Sequence, residues 1–301
     1  MAMDAKRRRK LLARYRVEEG KGFRLKDHDP GDTAGLEVDK PTAAALLQEG
    51  VERLSKLQDM LYAQDRWAVL CIFQAMDAAG KDGAIKHVFS GVNPQGCHVT
   101  SFKAPGALEL DHDFLWRHVT ALPARGVIGI HNRSWYEEVL VARVHPEILD
   151  RQKLPAPLRA HKRLMEERLE DIACFERYLA RQGVVVLKFF LNVSKEEQRR
   201  RFLSRIEEPE KNWKFSSADV AERAHWADYQ AAYERAIRTT AAPHAPWFVA
   251  PADNKWFTRL VVAEAIAVAL EELDLHYPQI TEAERARLEE ARQALDEDRT
   301  G

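Results

Sequence analysis

No stretch of this 301-residue chain approaches the roughly 20 consecutive apolar residues needed to span a bilayer. Met1 to Lys10 is charged, with no apolar segment after it, so the pattern of a secretory signal is missing and the cytoplasm is the expected compartment. Cysteine is scarce: Cys71, Cys97 and Cys174 are odd in number and lack metal or redox spacing, so no chemistry is assigned to them. Net charge is also lacking, with 46 basic against 47 acidic residues, which argues against a general nucleic-acid binder. Neither internal repeats nor low-complexity segments occur. What remains, 46% hydrophobic and 31% charged, suits one large core with an appended subdomain.

The charges are unevenly placed. Basic residues gather at Lys6 to Lys10 and again at Arg199-Arg200-Arg201, Arg205, Lys211 and Lys214, whereas Glu282 to Asp298 leans acidic. With nothing apolar beside it, the first cluster reads as a disordered, solubilising tail. The expected organisation is an N-terminal extension over 1–50, a phosphate-handling domain over 51–280 with a lid at about 195–225, and a charged helix or tail over 281–301.

The apolar run Trp67 to Phe73 leads through Gln74-Ala75-Met76-Asp77-Ala78-Ala79-Gly80-Lys81-Asp82-Gly83 into a helical pattern. A strand, a glycine turn with lysine, and a helix place backbone N–H groups and the Lys81 ammonium where an anion binds. The match to GxxxxGK[ST] is imperfect: Ala75 replaces the first glycine and Asp82 the hydroxyl that usually meets Mg²⁺. Four further apolar runs, His98 to Phe102, Gly126 to His131, Val184 to Leu191 and Trp247 to Ala250, alternate with helical patterns as a doubly wound parallel sheet of five strands requires. Helices are expected at His112 to Thr120, Ala156 to Gln182 and Trp256 to Leu273. Ligands of such sheets collect at the carboxyl ends of the strands, so the turns there should ring the Lys81 loop.

In the turn His131-Asn132-Arg133-Ser134-Trp135-Tyr136-Glu137-Glu138, the first polar residue after the strand is Asn132, where P-loop enzymes keep a carboxylate for Mg²⁺. Asn132 can hold a water or a phosphate, and metal binding would shift to Asp77 and Glu137, which carry hard oxygens. Arg133 matches phosphate bidentately. Trp135 and Tyr136 are expected to anchor the core. After the fourth strand, Ser194 and Glu197 form a capping-box pattern, and i, i+4 spacing puts Arg201 and Arg205 on one face that can close over phosphates.

The segments GVNPQGCHVTSFKAP (Gly91 to Pro105), HNRSWYEEVLVARVHP (His131 to Pro146), FFLNVSKEEQRRRFLSRIEEPEKNWKFSSAD (Phe189 to Asp219) and DNKWFTRLVVAEAI (Asp253 to Ile266) resemble family-2 polyphosphate kinases over about residues 20 to 277. Together with AMDAAGKDG and FRLKDHDPGDT (Phe23 to Thr33), they look most like the subgroup acting on both nucleoside mono- and diphosphates. The resemblance implies an α/β P-loop kinase fold with a helical lid, and Mg²⁺-dependent, reversible phosphoryl transfer between inorganic polyphosphate and AMP or ADP, with GMP and GDP as further acceptors. It also implies a homo-oligomer, dimer or tetramer. Carried over residue by residue, Asp77 binds Mg²⁺, Lys81 and Arg133 hold the transferred phosphate beside Gly80 and Asn132, and Arg201, Arg205, Lys211 and Lys214 line the polyphosphate path. Lys86 and Lys103 are further phosphate contacts. Apart from the resemblance, Glu137 lies one helical turn past Arg133, close enough to orient a short acceptor or its metal. Many members have glycine at the Ala75 position and aspartate at the Asn132 position, so a two-aspartate metal site does not transfer intact. The alternatives are an ATP-dependent nucleoside-monophosphate kinase and a non-catalytic polyphosphate-binding protein.

Overall fold

The computed structural model describes residues 3–298 and contains a six-stranded sheet. Its strands are β1 (Arg16–Val17), β2 (Ala68–Gln74), β3 (Cys97–Ser101), β4 (Ile128–Asn132), β5 (Val184–Asn192) and β6 (Trp247–Pro251), in the spatial order β1-β6-β5-β2-β4-β3. β2 to β6 are mutually parallel, the five strands expected. The addition is β1, which pairs antiparallel with β6 and covers its otherwise open edge. Two residues carry no periodic signal. What holds them is tertiary: Tyr15, buried just before β1, accepts the Val249 N–H at its carbonyl (2.9 Å) and donates its hydroxyl to Asp32 (2.8 Å).

The helices are α1 (Ala5–Ala13), α2 (Lys40–Gln64), α3 (Lys81–Val88), α4 (Ala107–Leu110), α5 (Trp116–Val119), α6 (Glu137–Val144), α7 (Ala156–Arg159), α8 (Leu164–Arg181), α9 (Lys195–Glu207), α10 (Ser217–Glu222), α11 (Trp226–Thr240), α12 (Lys255–Glu271) and α13 (Glu282–Glu297). The helix expected over 256–273 is α12. That expected over 112–120 shrinks to α5, because Asp113 turns back to accept the Leu115 N–H (2.9 Å) and so offers the backbone an alternative to helix. The helix expected over 156–182 divides into α7 and α8, since the run between them, including His161, Lys162 and Arg163, is exposed and gives the sheet nothing to bury.

Alternation along β2 builds both cores. Val69, Cys71 and Phe73 face the layer of α2 and α12, while Ala68, Leu70 and Ile72 face α6, α8 and α11. α2 begins on Asp39, which accepts the Thr42 N–H (2.9 Å), and it buries Leu46, Gly50, Leu54, Leu57 and Leu61 on one stripe. It runs straight through residue 50, where the sequence suggests that an extension ends. The basic start is also not a tail. α1 buries Leu11 and Leu12, and Arg8 pairs with Glu264 (3.5 Å) and Glu271 (3.4 Å) of α12, where Arg53 of α2 joins the same two carboxylates. Its other cations, Lys6, Arg7, Arg9 and Lys10, face outward. At the other end α13 is a capped helix with no buried residue. No helix of the described residues is long and apolar enough to cross a membrane.

Trp135 and Tyr136 are fully buried, as expected, over an ion pair that the sequence does not announce. Lys188 of β5 pairs with Glu176 of α8 and donates to Thr240 O (2.8 Å); Glu176 accepts the Tyr136 hydroxyl (2.7 Å) and the Trp135 indole N–H (3.3 Å). Removing one charge strands the other away from water. Lys188→Met should therefore cost about 3–5 kcal/mol in denaturant unfolding, while Glu176→Gln with Lys188→Met, which keeps an acceptor for both aromatic donors, should regain most of it. Equal losses in the two proteins would show that the pair's charge is irrelevant to stability.

Candidate active site

The strand order reverses about β2, whose neighbours β4 and β5 lead outward in opposite directions, so the turns after these strands share one crevice. A cleft of about 680 Å³ opens there. Its basic lining residues are Lys81, Lys103, Arg133, Arg201, Arg205, Lys211, Lys214, Lys255 and Arg259; its acidic ones are Asp77, Asp82 and Asp219. At the base of the cleft lies the loop 75–80. Gly80, at φ +106°, turns the chain into α3 and accepts the Ala84 N–H (2.9 Å), which leaves the N–H groups of the first turn without intrahelical partners. Ala78 is left-handed (φ +59°) although it bears a Cβ, and so is Arg133 (φ +68°); both are held against a local cost by their surroundings.

Lys81 is the first residue of α3 rather than part of an exposed loop. Its Nζ donates to Ala75 O (2.9 Å), and burial together with the nearby Arg133 lowers its pKa against the pull of Asp77, Glu137 and Asp82. Arg133 reaches Asp77 at 3.8 Å. Asn132 donates to Asp82 Oδ1 (2.7 Å), so the residue standing in for the hydroxyl of the loop meets the residue standing in for the acid of the third turn. Asp82 Oδ2 has no protein donor among the described residues. Glu137 does not line the cleft. It packs behind the Asp77–Arg133 pair, where burial raises its pKa while Arg133 and Lys81 oppose the rise, and it accepts from the Gln74 amide (2.8 Å) in the orientation that also satisfies Ser134.

The lid expected near 195–225 consists of α9, the 3₁₀ turn Pro209–Lys214, α10 and the turn Arg223–His225. Only half of the capping box forms. Ser194 accepts the Glu197 N–H (3.1 Å), but its own N–H goes to Asp253 (2.8 Å), and the Glu197 carboxylate takes Arg201 (2.7 Å) instead. Arg201 and Arg205 both line the cleft as the spacing predicts, yet they differ in kind. Arg201 is 8% exposed, and besides Glu197 its guanidinium donates to Ala78 O (3.0 Å), Ala79 O (2.6 Å), Ala252 O (2.6 Å) and Asp253 O (3.2 Å). It is a strut between the loop and the end of β6, with no donor left over for a phosphate. Arg205 holds Asp219 and Lys214 O, each at 3.3 Å, and Lys211 pairs with Glu208 and Ser204 (3.0 Å). Lys214 lies over the Trp213 ring. Lys103 lines the cleft; Lys86, exposed on α3, does not.

Sequence reasoning missed Lys255 and Arg259. Their signal was the stretch Asp253-Asn254-Lys255-Trp256-Phe257-Thr258-Arg259, which opens a helix after a strand end, as the Lys81 loop does, and puts two cations one turn apart. Missing too was the purpose of FRLKDHDPGDT: His28 O accepts from Asn192 (2.8 Å), Pro30 O from Asp253 N (3.1 Å) and Gly31 O from Asn254 (3.1 Å), so this segment braces the carboxyl ends of β5 and β6. Arg201→Ala should strand Ala78 O, Ala79 O and Ala252 O and lower unfolding stability by about 2–3 kcal/mol, as measured by urea denaturation. Unaltered stability would return Arg201 to the role of a free cation.

A family model described as polyphosphate kinase 2 matches residues 37–278. The chain is 54% identical over 250 residues to an ADP-polyphosphate phosphotransferase of Rhodopseudomonas palustris, covering 83% of this chain and 86% of that protein. It is 44% identical over 268 residues to an AMP/ADP-polyphosphate phosphotransferase of Meiothermus ruber, covering 89% and 96%. The crystal structure of polyphosphate kinase 2 from Arthrobacter aurescens superposes with a TM-score of 0.84 at 39% identity, over 96% of this chain and 99% of that one. With a cation-lined cleft at the carboxyl ends of a parallel sheet, and with these relatives along nearly its whole length, the chain belongs to the polyphosphate kinase 2 family.

Proposed function

We propose that the protein transfers the terminal phosphoryl group of inorganic polyphosphate to AMP and ADP, and reversibly back, with GMP and GDP as further acceptors. The observation that carries this reading is the cleft at the α3 N-terminus, whose charged lining is dominated by lysine and arginine and whose volume of about 680 Å³ has room for more than one phosphate. Polyphosphate enters from the lid side, along Lys103, Arg205, Lys211 and Lys214. Its terminal phosphoryl group rests on the free N–H groups of the α3 first turn, between Lys81 and Arg133. The acceptor approaches past Arg133, behind which Glu137 lies, in line with the breaking bond. An acceptor phosphate oxygen is already a nucleophile, so no residue needs to take its proton or form a covalent intermediate. The work of the protein is positioning and charge stabilisation, with Lys81 and Arg133 neutralising the equatorial oxygens as the transition state spreads charge over them.

Among the described residues no group of three or more His, Cys, Asp or Glu side chains forms a metal cage. That suits Mg²⁺, which is commonly held by one or two carboxylates plus substrate phosphates. Asp77 and Asp82 on the cleft wall would hold it, and the ion would supply charge neutralisation across the donor and acceptor phosphates. Glu137, behind Arg133 and engaged with Gln74, acts on the acceptor through Arg133 rather than by contact.

Turnover of AMP and ADP with long-chain polyphosphate and Mg²⁺, and none when ATP replaces polyphosphate as donor to AMP, is the expected outcome of a nucleotide-separation assay. The reverse pattern would make the protein an ATP-dependent monophosphate kinase. Lys81→Ala and Asp77→Asn should each lose about 10²–10³ in kcat, the weight of one preorganised electrostatic contact, while thermal melting places both within about 1 kcal/mol of wild type. A variant keeping most of its turnover would remove that residue from the reaction. Glu137→Ala should depress AMP phosphorylation more than ADP phosphorylation, because the shorter acceptor must reach further for the same phosphoryl group. Equal losses on both acceptors would take Glu137 out of acceptor choice.

A further inference from the structure

Arg259 borders two cavities. One is the cleft already described; the other, of about 520 Å³, lies between the first half of α2, the end of α3 and the first turn of α12. Arg259 passes beside Gly83 in the first turn of α3, where an added Cβ would stand 3.9 Å from its Nη2, so it sits between the phosphate loop and the second cavity. Among the described residues it has no carboxylate within ion-pair distance and no protein hydrogen-bond acceptor, although it is half-buried and burial lowers its pKa. A guanidinium withdrawn from water without a partner is costly until an anion arrives. The second cavity continues the same character. Lys40 and His87 line it with Ser90; His87 Nδ1 lies 2.7 Å from Gly83 O, which leaves Nε2 facing no protein partner; and no aspartate or glutamate contributes to the lining. Val38, Leu47 and Trp256 form an apolar wall, which lowers the local dielectric and strengthens any charge contact made against it.

We propose that a long polyphosphate donor, its reactive end at Lys81 and its next units among the lid cations, continues past Lys211 and Lys255 across Arg259 into this second cavity, with Lys40 at the far end, so that donor chain length is read there. A polyanion fits because it carries a charge at every repeat and can meet cations in both cavities at once, whereas a single phosphate or a nucleotide's short tail ends in the cleft. The proposal rests on polyphosphate being the donor, as argued above, and adds where its distal part lies.

The test compares the KM of long-chain polyphosphate with that of tripolyphosphate, at saturating ADP and fixed ionic strength, in wild type, Lys40→Glu and Ala44→Trp. Lys40 and Ala44 are exposed on α2; the first variant reverses a charge of the cavity and the second fills it. In each variant the ratio of long-chain to tripolyphosphate KM should rise by about five-fold or more, the weight of one or two contacts to a polyanion. Should Ala44→Trp fail to fold, Lys40→Glu decides alone. A ratio within about two-fold of wild type overturns the proposal and leaves the function standing. A rise in the ADP KM in place of the donor's also overturns it, by assigning the cavity to the nucleotide. No turnover of wild type with either polyphosphate would overturn the functional reading, and this inference with it.

Discussion

Everything at the site depends on how the loop 75–80 divides its backbone polar groups. A helix N-terminus attracts anions only if its N–H groups are free, and a tight loop that frees amides usually also exposes carbonyls, which repel phosphate. Here the carbonyls are occupied from within: Ala75 O by Lys81, Ala78 O and Ala79 O by Arg201. The loop thus presents amides and cations to the cleft. The same arrangement tolerates Ala78 at φ +59°, because the guanidinium that binds its carbonyl also binds Ala252 and Asp253 at the end of β6 and prevents relaxation. Arg201 therefore shapes the loop that faces the cleft and is not itself free to meet a phosphate.

The lid follows a related economy of charge. Its basic run suggests a strong positive field, yet Arg199 pairs with Glu196 (3.3 Å), Arg200 and Arg201 with Glu197, Arg205 with Asp219 and Lys211 with Glu208. The more exposed of these on the cleft, Arg205–Asp219 and Lys211–Glu208, contribute at most about 1 kcal/mol, so a polyanion can exchange for their carboxylates at little cost, whereas the buried Arg201–Glu197 pair stays in place. Lys103, Lys214 and Arg259 form no ion pair with a carboxylate among the described residues, Lys255 feels Glu197 and Glu208 only beyond ion-pair distance, and all four line the cleft. Unsatisfied cations and exchangeable ones together account for how a chain of near-zero net charge can hold a heavily charged donor.

The parallel strands were legible because each is a short apolar run that ends in a polar turn, a pattern that burial on both faces imposes. Lys81, Asp77 and Arg133 were legible for the same reason, since each sits at a fixed offset from a strand end. α2 was not, although its stripe has helical spacing, because the alanine-rich stretch Ala43 to Ala45 and the charges between its leucines mask the period in a short window. β1 could not be read at all; two residues become a strand only because β6 has an open edge. The difference between Arg201 and Arg205 was equally hidden. Spacing places both on one face, but which of them meets backbone carbonyls is decided by elements 50 and 120 residues away in the chain.

Asn132 and Asp82 show why the departures from the usual P-loop pattern belong together. A loop hydroxyl and a carboxylate at the end of the third parallel strand commonly share a metal; here the loop residue is the carboxylate and the strand-end residue is the amide. Because the two side chains touch (2.7 Å), moving the charge from one side of the contact to the other shifts it only by the width of a hydrogen bond. The amide then does what a carboxylate could not: it donates to Asp82 and fixes its orientation, leaving Oδ2 for the cleft. Aspartate at both positions would set two like charges in contact beside Asp77, and one of them would have to hold a proton or a cation permanently. Read singly, Ala75, Asp82 and Asn132 weaken the motif. Read as a contact, Asp82 and Asn132 preserve a carboxylate at the phosphate site while keeping the local charge within what Lys81 and Arg133 can balance.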